Sequence, residues 1–168
     1  ITSSESNSSD NGGGIKILGK RIAIKDNARI SSSGFNSGGE ILIGGNYLGQ
    51  GPEPNASATI ILEGAEISAD AIDNGDGGRV IVWSDDYTNF LGTISAKGSD
   101  TGVGGFVETS SKNNLQAFGT VNAAIQRHPE ESKDETREQQ QDANIRHLRQ
   151  SLDEGADDVV QALPAPHE

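Results

Sequence analysis

The stretch Val80-Ile81-Val82-Trp83-Ser84-Asp85-Asp86-Tyr87 sets two adjacent carboxylates between the single tryptophan of the chain and a tyrosine. Carboxylates beside aromatic rings suit a carbohydrate-cleaving site. A glycosidase, however, needs two carboxyl groups held roughly 5 to 9.5 Å apart across a substrate, one of them with a raised pKa in an apolar setting. Neighbouring Asp residues at the end of an extended strand offer neither, and Ser-Asp-Asp is a cluster of turn formers. Asp85 and Asp86 are therefore expected to cap a corner. The enzymatic rival is a polysaccharide-acting enzyme on a β-helix, which needs bases and calcium-binding carboxylates gathered on one outer face. Arg79 and Lys97 are the bases nearest this strand, one at a corner and one at a strand end.

Other groups with chemical potential carry less. Asp73, Asn74 and Asp76 in DNGDGG are oxygen ligands, but the spacing fits neither an EF-hand loop nor a nine-residue calcium repeat. A Gly-Asn turn with incidental acids is favoured, leaving weak, incidental calcium association near Asp73 and Asp76 as the residual expectation and no dedicated cofactor. His128, His147 and His167 all fall in the last part of the chain and are too far apart to form a ligand pair. No phosphate-cradling glycine motif opens a helix. Asn55-Ala-Ser57 fits a glycosylation acceptor without further support. For surface binding, the best segment is NYLGQGPEPNASA, 46–58, where Tyr47, Gln50 and Asn55 offer an aromatic platform with amide groups for a sugar or a protein partner. The competing and favoured reading makes this loop a cover over neighbouring strands.

These residues need a scaffold, and composition limits which. The chain has 168 residues, 22 Gly, 4% aromatics, no Cys and no Met. A core must come from Ile, Val, Leu and Ala, with neither disulfides nor thiolate metal sites. The net charge of -12 excludes a nucleic-acid partner, which demands clustered Lys and Arg. No apolar run is long enough to span a membrane. The first residues, ITSSESNSSDNGGG, lack the basic and apolar regions of a signal peptide, which is expected of a mature piece or excised fragment.

Gly-Gly pairs start at residues 12, 38, 77 and 104, at intervals of 26, 39 and 27 residues. Removing the 13 residues of 46–58 brings the middle interval to 26. Aligned on the pairs, Ile15, Ile41, Val80 and Val107 form one column, and Ile17, Ile43, Val82 and Thr109 another, with the period of a strand. Lys16, Leu42, Ile81 and Glu108 between them are mixed in character and are expected to face outward, as is Trp83. A second register aligns Ile30, Ile67, Ile94 and Val121, each two places after Ala or Gly. Such a repeat, all strands and turns, predicts a parallel β-solenoid of about four rungs whose stability is a sum of nearest-neighbour terms. A leucine-rich repeat would need a missing Asn ladder, and a β-sandwich predicts no stacked columns.

Residues 38–112 resemble the repeat region of filamentous haemagglutinin-like exoproteins of two-partner secretion systems. The resemblance rests on GGEILIGGNYLGQGPEPNA, on the corner DNGDGG, on VIVWSD followed by TNFLGTISAKG, and on GGFVETSSK. It implies an all-β, right-handed parallel β-helix and a secreted or bacterial cell-surface location. It further implies export through an outer-membrane partner transporter, a structural or adhesive shaft role with a host-surface protein or glycan as ligand, and no catalytic residues. The family's secretion domain is expected to lie upstream, so no secretion-signal residues are carried over.

After GTVNAA the chain departs from that family. Residues 128–168 hold 11 acids and 4 bases, a net -7. Pro129, Glu130 and Glu131 suit a helix start and Gly155 a stop, predicting a helix over 130–154 with Ile145, Leu148 and Leu152 on one face. The expected organisation is thus a flexible segment 1–11, β-helix repeats 12–127 and an acidic tail 128–168. An interaction module built on that tail is the alternative to the shaft.

Overall fold

The computed structural model describes residues 10–126. The chain divides into two units, Ile1–Arg127 and His128–Glu168, and the second, with its expected helix and all three histidines, lies outside the described residues.

Within the first unit the backbone winds through four rungs. Rung one contains β1 (Gly14–Ile17), β2 (Arg21–Ile24) and β3 (Arg29–Ser31). Rung two contains β4 (Glu40–Ile43), β5 (Ala58–Ile61) and β6 (Glu66–Ser68). Rung three contains β7 (Arg79–Val82), β8 (Tyr87–Phe90), β9 (Thr93–Ser95) and β10 (Gly98–Ser99). Rung four contains β11 (Phe106–Thr109), β12 (Asn114–Ala117), β13 (Thr120–Asn122) and β14 (Ile125–Gln126). Equivalent strands stack as three four-stranded parallel sheets, β1-β4-β7-β11, β2-β5-β8-β12 and β3-β6-β9-β13, with β10 beside β14. This is the parallel β-helix that the repeat predicts. Pairing begins with a bridge from Asn11 to Ser37, inside the segment expected to be flexible; residues 1–9 lie outside the described residues.

The register stacks like on like. Ile15, Ile41, Val80 and Val107 are consecutive partners, as are Ile17, Ile43, Val82 and Thr109, and Ile30, Ile67, Ile94 and Val121. These columns match those read from the sequence. Their inner members form the core together with Ile61 and Phe90, and Val80, Val82 and Ile94 are fully buried. A one-residue slip would turn every such side chain outward, so burial locks the register.

The Gly-Gly corners owe their composition to close approach. Their φ values are not positive; a Cβ at Gly78 would instead collide with the carbonyl oxygen of Gly39, and one at Gly105 with that of Gly78. Positive φ is found at the loop exit, Gly44 (φ 80°) and Gly45 (φ 151°), which turn the chain out of β4.

Charge also varies from rung to rung. Rung one carries Lys16, Lys20, Arg21, Lys25 and Arg29, whereas residues 30–78 contain no base at all. Arg29 pairs with Glu66 one rung up, and Arg79 with Glu40 one rung down (3.3 Å). Exposed pairs of this kind add little stability each, about 0 to 1 kcal/mol.

Candidate functional site

The outward column of the first sheet, Lys16, Leu42, Ile81 and Glu108, is charged at its ends and apolar in the middle. Alternation along the strands places Leu42, Ile81 and Trp83 outside the main core, as expected. Leu42 and Ile81 are nevertheless fully buried and Trp83 is 7% exposed, so facing outward does not here mean facing solvent. The reason is the loop 46–58, which folds back over this face; its last residue, Ala58, already belongs to β5.

The loop is fastened at every rung it crosses. Asn46 accepts from the Tyr47 amide (2.7 Å) and opens a short 3₁₀ turn, Tyr47–Gly49. Beside it the Leu48 amide, held at φ 54°, donates to both Glu108 carboxylate oxygens at 3.3 Å, reaching rung four. Gly49 lies against the Trp83 indole so closely that a Cβ would sit 2.5 Å from its Cε2. Asn55 donates to the Gly49 carbonyl (3.0 Å) and to Asp85 (3.2 Å), and Trp83 Nε1 donates to the same Asp85 oxygen (3.3 Å). At the rung-one end, Lys16 donates to Glu53 at 2.7 Å while Asn46 supplies a second bond at 2.9 Å.

The opening pair of carboxylates is thereby placed. Asp85 anchors the loop, and Asp86 accepts from Asn113 at 3.2 Å one rung up. Behind them runs an internal chain of hydroxyls. Thr59 donates to the Trp83 carbonyl (2.8 Å), Ser84 pairs with Thr88 (2.7 Å), and Thr88 donates to the Ser110 carbonyl (2.9 Å). These satisfy buried polar groups at the corner.

Of the three residues singled out for surface binding, Asn55 is half-buried with its amide nitrogen committed to the loop, and Gln50 is exposed. Tyr47 is 42% exposed and forms an edge contact with Phe106, ring centroids 5.6 Å apart, beneath the Arg79 guanidinium at 5.7 Å. The three are not gathered into one site. Phe106 and Arg79, which do share a surface with Tyr47, were missed because the aromatic lies 59 residues away in sequence. Near Asp73 and Asp76, Asp76 accepts from the Val103 amide (2.8 Å) and Asn74 from Thr101 (3.2 Å). Among the described residues no group of three or more metal-ligating side chains occurs, and no helix is long and apolar enough to cross a membrane.

The Lys16 bond, followed by that from Asn46, holds the Glu53 carboxyl down at about 2 against an ordinary 4.5. Glu53 raises Lys16 in return. A carboxylate with a depressed pKa stabilises the fold above its unfolded value and loses that contribution as pH falls from about 4.5 toward 2. Lys16 contributes below its unfolded value of 10.5 and loses it as pH rises through its folded one. Acidification across the lower window is therefore expected to loosen the loop and shift Trp83 emission. In Glu53→Gln that step should vanish; superimposable acid titrations of the two proteins would contradict the latch.

No family model and no curated protein matches the chain. Among solved structures, the crystal structure of the HMW1 secretion domain from Haemophilus influenzae is similar, with 30% sequence identity and a TM-score of 0.60. The match covers 73% of this chain and 33% of that one, so this chain spans about a third of the length of the structure it matches. In fold and in sequence, most of the chain is similar to part of a bacterial secretion domain, the domain that the family resemblance places upstream of it.

Proposed function

We propose that this chain is a β-helical segment of a bacterial exoprotein that leaves the cell through an outer-membrane partner transporter and acts as a stacked, adhesive scaffold at the cell surface or in the medium. The similarity to a secretion domain at 30% identity is the observation that carries export. The stacked aliphatic columns suit a chain that crosses a membrane unfolded, because short rungs add one nearest-neighbour term at a time and close no long-range disulfide. A scaffold of this kind works without cofactor or chemistry. The carboxylates of the opening motif support that reading, since both hold loops in place.

The test is secretion. The full chain, joined behind a complete two-partner secretion domain with its cleavable export signal, should reach the culture medium when that domain's own outer-membrane transporter is co-expressed, and should stay periplasmic without it. Equal periplasmic retention in both strains would overturn the export reading. Turnover of uronate polymers, with or without calcium, would overturn the non-catalytic one.

A further inference from the structure

Where the Gly-Gly pairs at 38, 77 and 104 stack, the corner of the helix opens as a groove of about 610 Å³. Asp76 and Val103 form one wall, and Glu40, Arg79 and Phe106 the other. It is shallow and open to solvent, and two rung spacings give it a length of roughly 10 Å.

The floor has little to offer an extended peptide. Gly38, Gly39, Gly77, Gly78 and Gly105 all donate their amides to backbone carbonyls of the protein itself. Recognition must come from the walls. Glu40 accepts from Arg79 through one oxygen (3.3 Å), and Asp76 accepts the Val103 amide through one oxygen, so each carboxylate has a second oxygen to present. Phe106 is 48% exposed, with the Arg79 guanidinium 5.9 Å from its ring centroid. Two carboxylates against one guanidinium, itself bound to Glu40, disfavour an anion. Acceptors for hydroxyl groups, a planar donor and an exposed ring for C–H faces together suit a neutral polyhydroxyl ligand.

We infer that this groove binds a neutral oligosaccharide, with Phe106 as the platform and Glu40, Asp76 and Arg79 as hydrogen-bonding partners. The inference is independent of the export reading. It is tested by titrating the ¹⁵N-labelled full chain with cello-, manno- and galacto-oligosaccharides while following amides at 76–79 and 103–106. At least one series should give saturable shifts confined to the groove, and polygalacturonate none. Phe106→Ala should weaken binding about tenfold, and Glu40→Ala likewise, both with wild-type thermal midpoints; Phe106→Tyr should restore it. Absence of saturable shifts in all three series, equal binding of polygalacturonate, or unchanged affinity in Phe106→Ala would each overturn the assignment. Secretion through the transporter would be untouched by any of these.

Discussion

Ile94→Asp is expected to abolish cooperative folding of the β-helix. Ile94 is fully buried in the column Ile30-Ile67-Ile94-Val121, with Ile67 below it at 1% exposure. An uncompensated charge in such a place costs about 3 to 5 kcal/mol, and the lost burial of the isoleucine side chain adds about 1.5 to 3 kcal/mol. Together they rival the whole stability of a typical domain, about 5 to 15 kcal/mol. Ile67→Asp sits one rung lower in the same column and should behave alike. Thr93, exposed on the same strand and stacked on Glu66, supplies the control: Thr93→Lys should leave the urea midpoint near wild type. The measurement is urea unfolding followed by far-ultraviolet circular dichroism. Wild-type midpoints in both Asp variants would mean that the columns do not face inward.

The second large effect belongs to Trp83. Its indole meets the loop at Gly49 and packs with Leu42 and Ile81 in a cluster separate from the main core. Truncating a buried aromatic to alanine costs about 3 to 5 kcal/mol. Because the cluster lies outside the helix interior, Trp83→Ala should free the loop before it unfolds the rungs. Hydrogen exchange at the amides of Gly49, Gln50 and Ala56, bonded to Asn46, Tyr47 and Gly44 respectively, should accelerate strongly. The amides of β7 and β8 should keep most of their protection. Trp83→Phe keeps an aromatic ring but loses the bond to Asp85 and the indole edge that meets Gly49, so its protection should fall between those of the wild type and Trp83→Ala. Uniform acceleration across loop and rungs in Trp83→Ala would show that loop and helix unfold as one.

Two of the three long sheets were legible because their inward residues are almost purely aliphatic and keep a fixed distance from the Gly-Gly pairs. The sheet β2-β5-β8-β12 leaves no such pattern in the sequence. Its inward columns mix Ile22, Thr59, Thr88 and Leu115, then Ile24, Ile61, Phe90 and Ala117. Thr59 and Thr88 are fully buried, which hydropathy alone does not suggest, because each hydroxyl finds a backbone carbonyl in the neighbouring chain segment. The loop also enters directly before β5 and shifts its distance from the Gly pair, hiding the alignment. Asp85 and Asp86 sit at the corner between β7 and β8, as their residue types imply, since turn chemistry is local. That Asp85 also holds Asn55 and the indole depends on residues up to 30 positions away.

Taken alone, the amino-acid order determined the rung length, the stacking of like aliphatic groups and the glycine corners, because strand alternation and tight turns are set by neighbours a few residues apart. The loop's part as a cover over neighbouring strands was the reading its sequence favoured; only the tertiary structure decided that it covers a second apolar cluster on the outer face of the first sheet, and how it is fastened there. The bonds that fasten it join residues 37 and 60 positions apart, Lys16 to Glu53 and Leu48 to Glu108, and no local pattern encodes such a meeting. For the same reason a glycine corner became a groove only once Arg79 and Phe106 from successive rungs were brought to its rim.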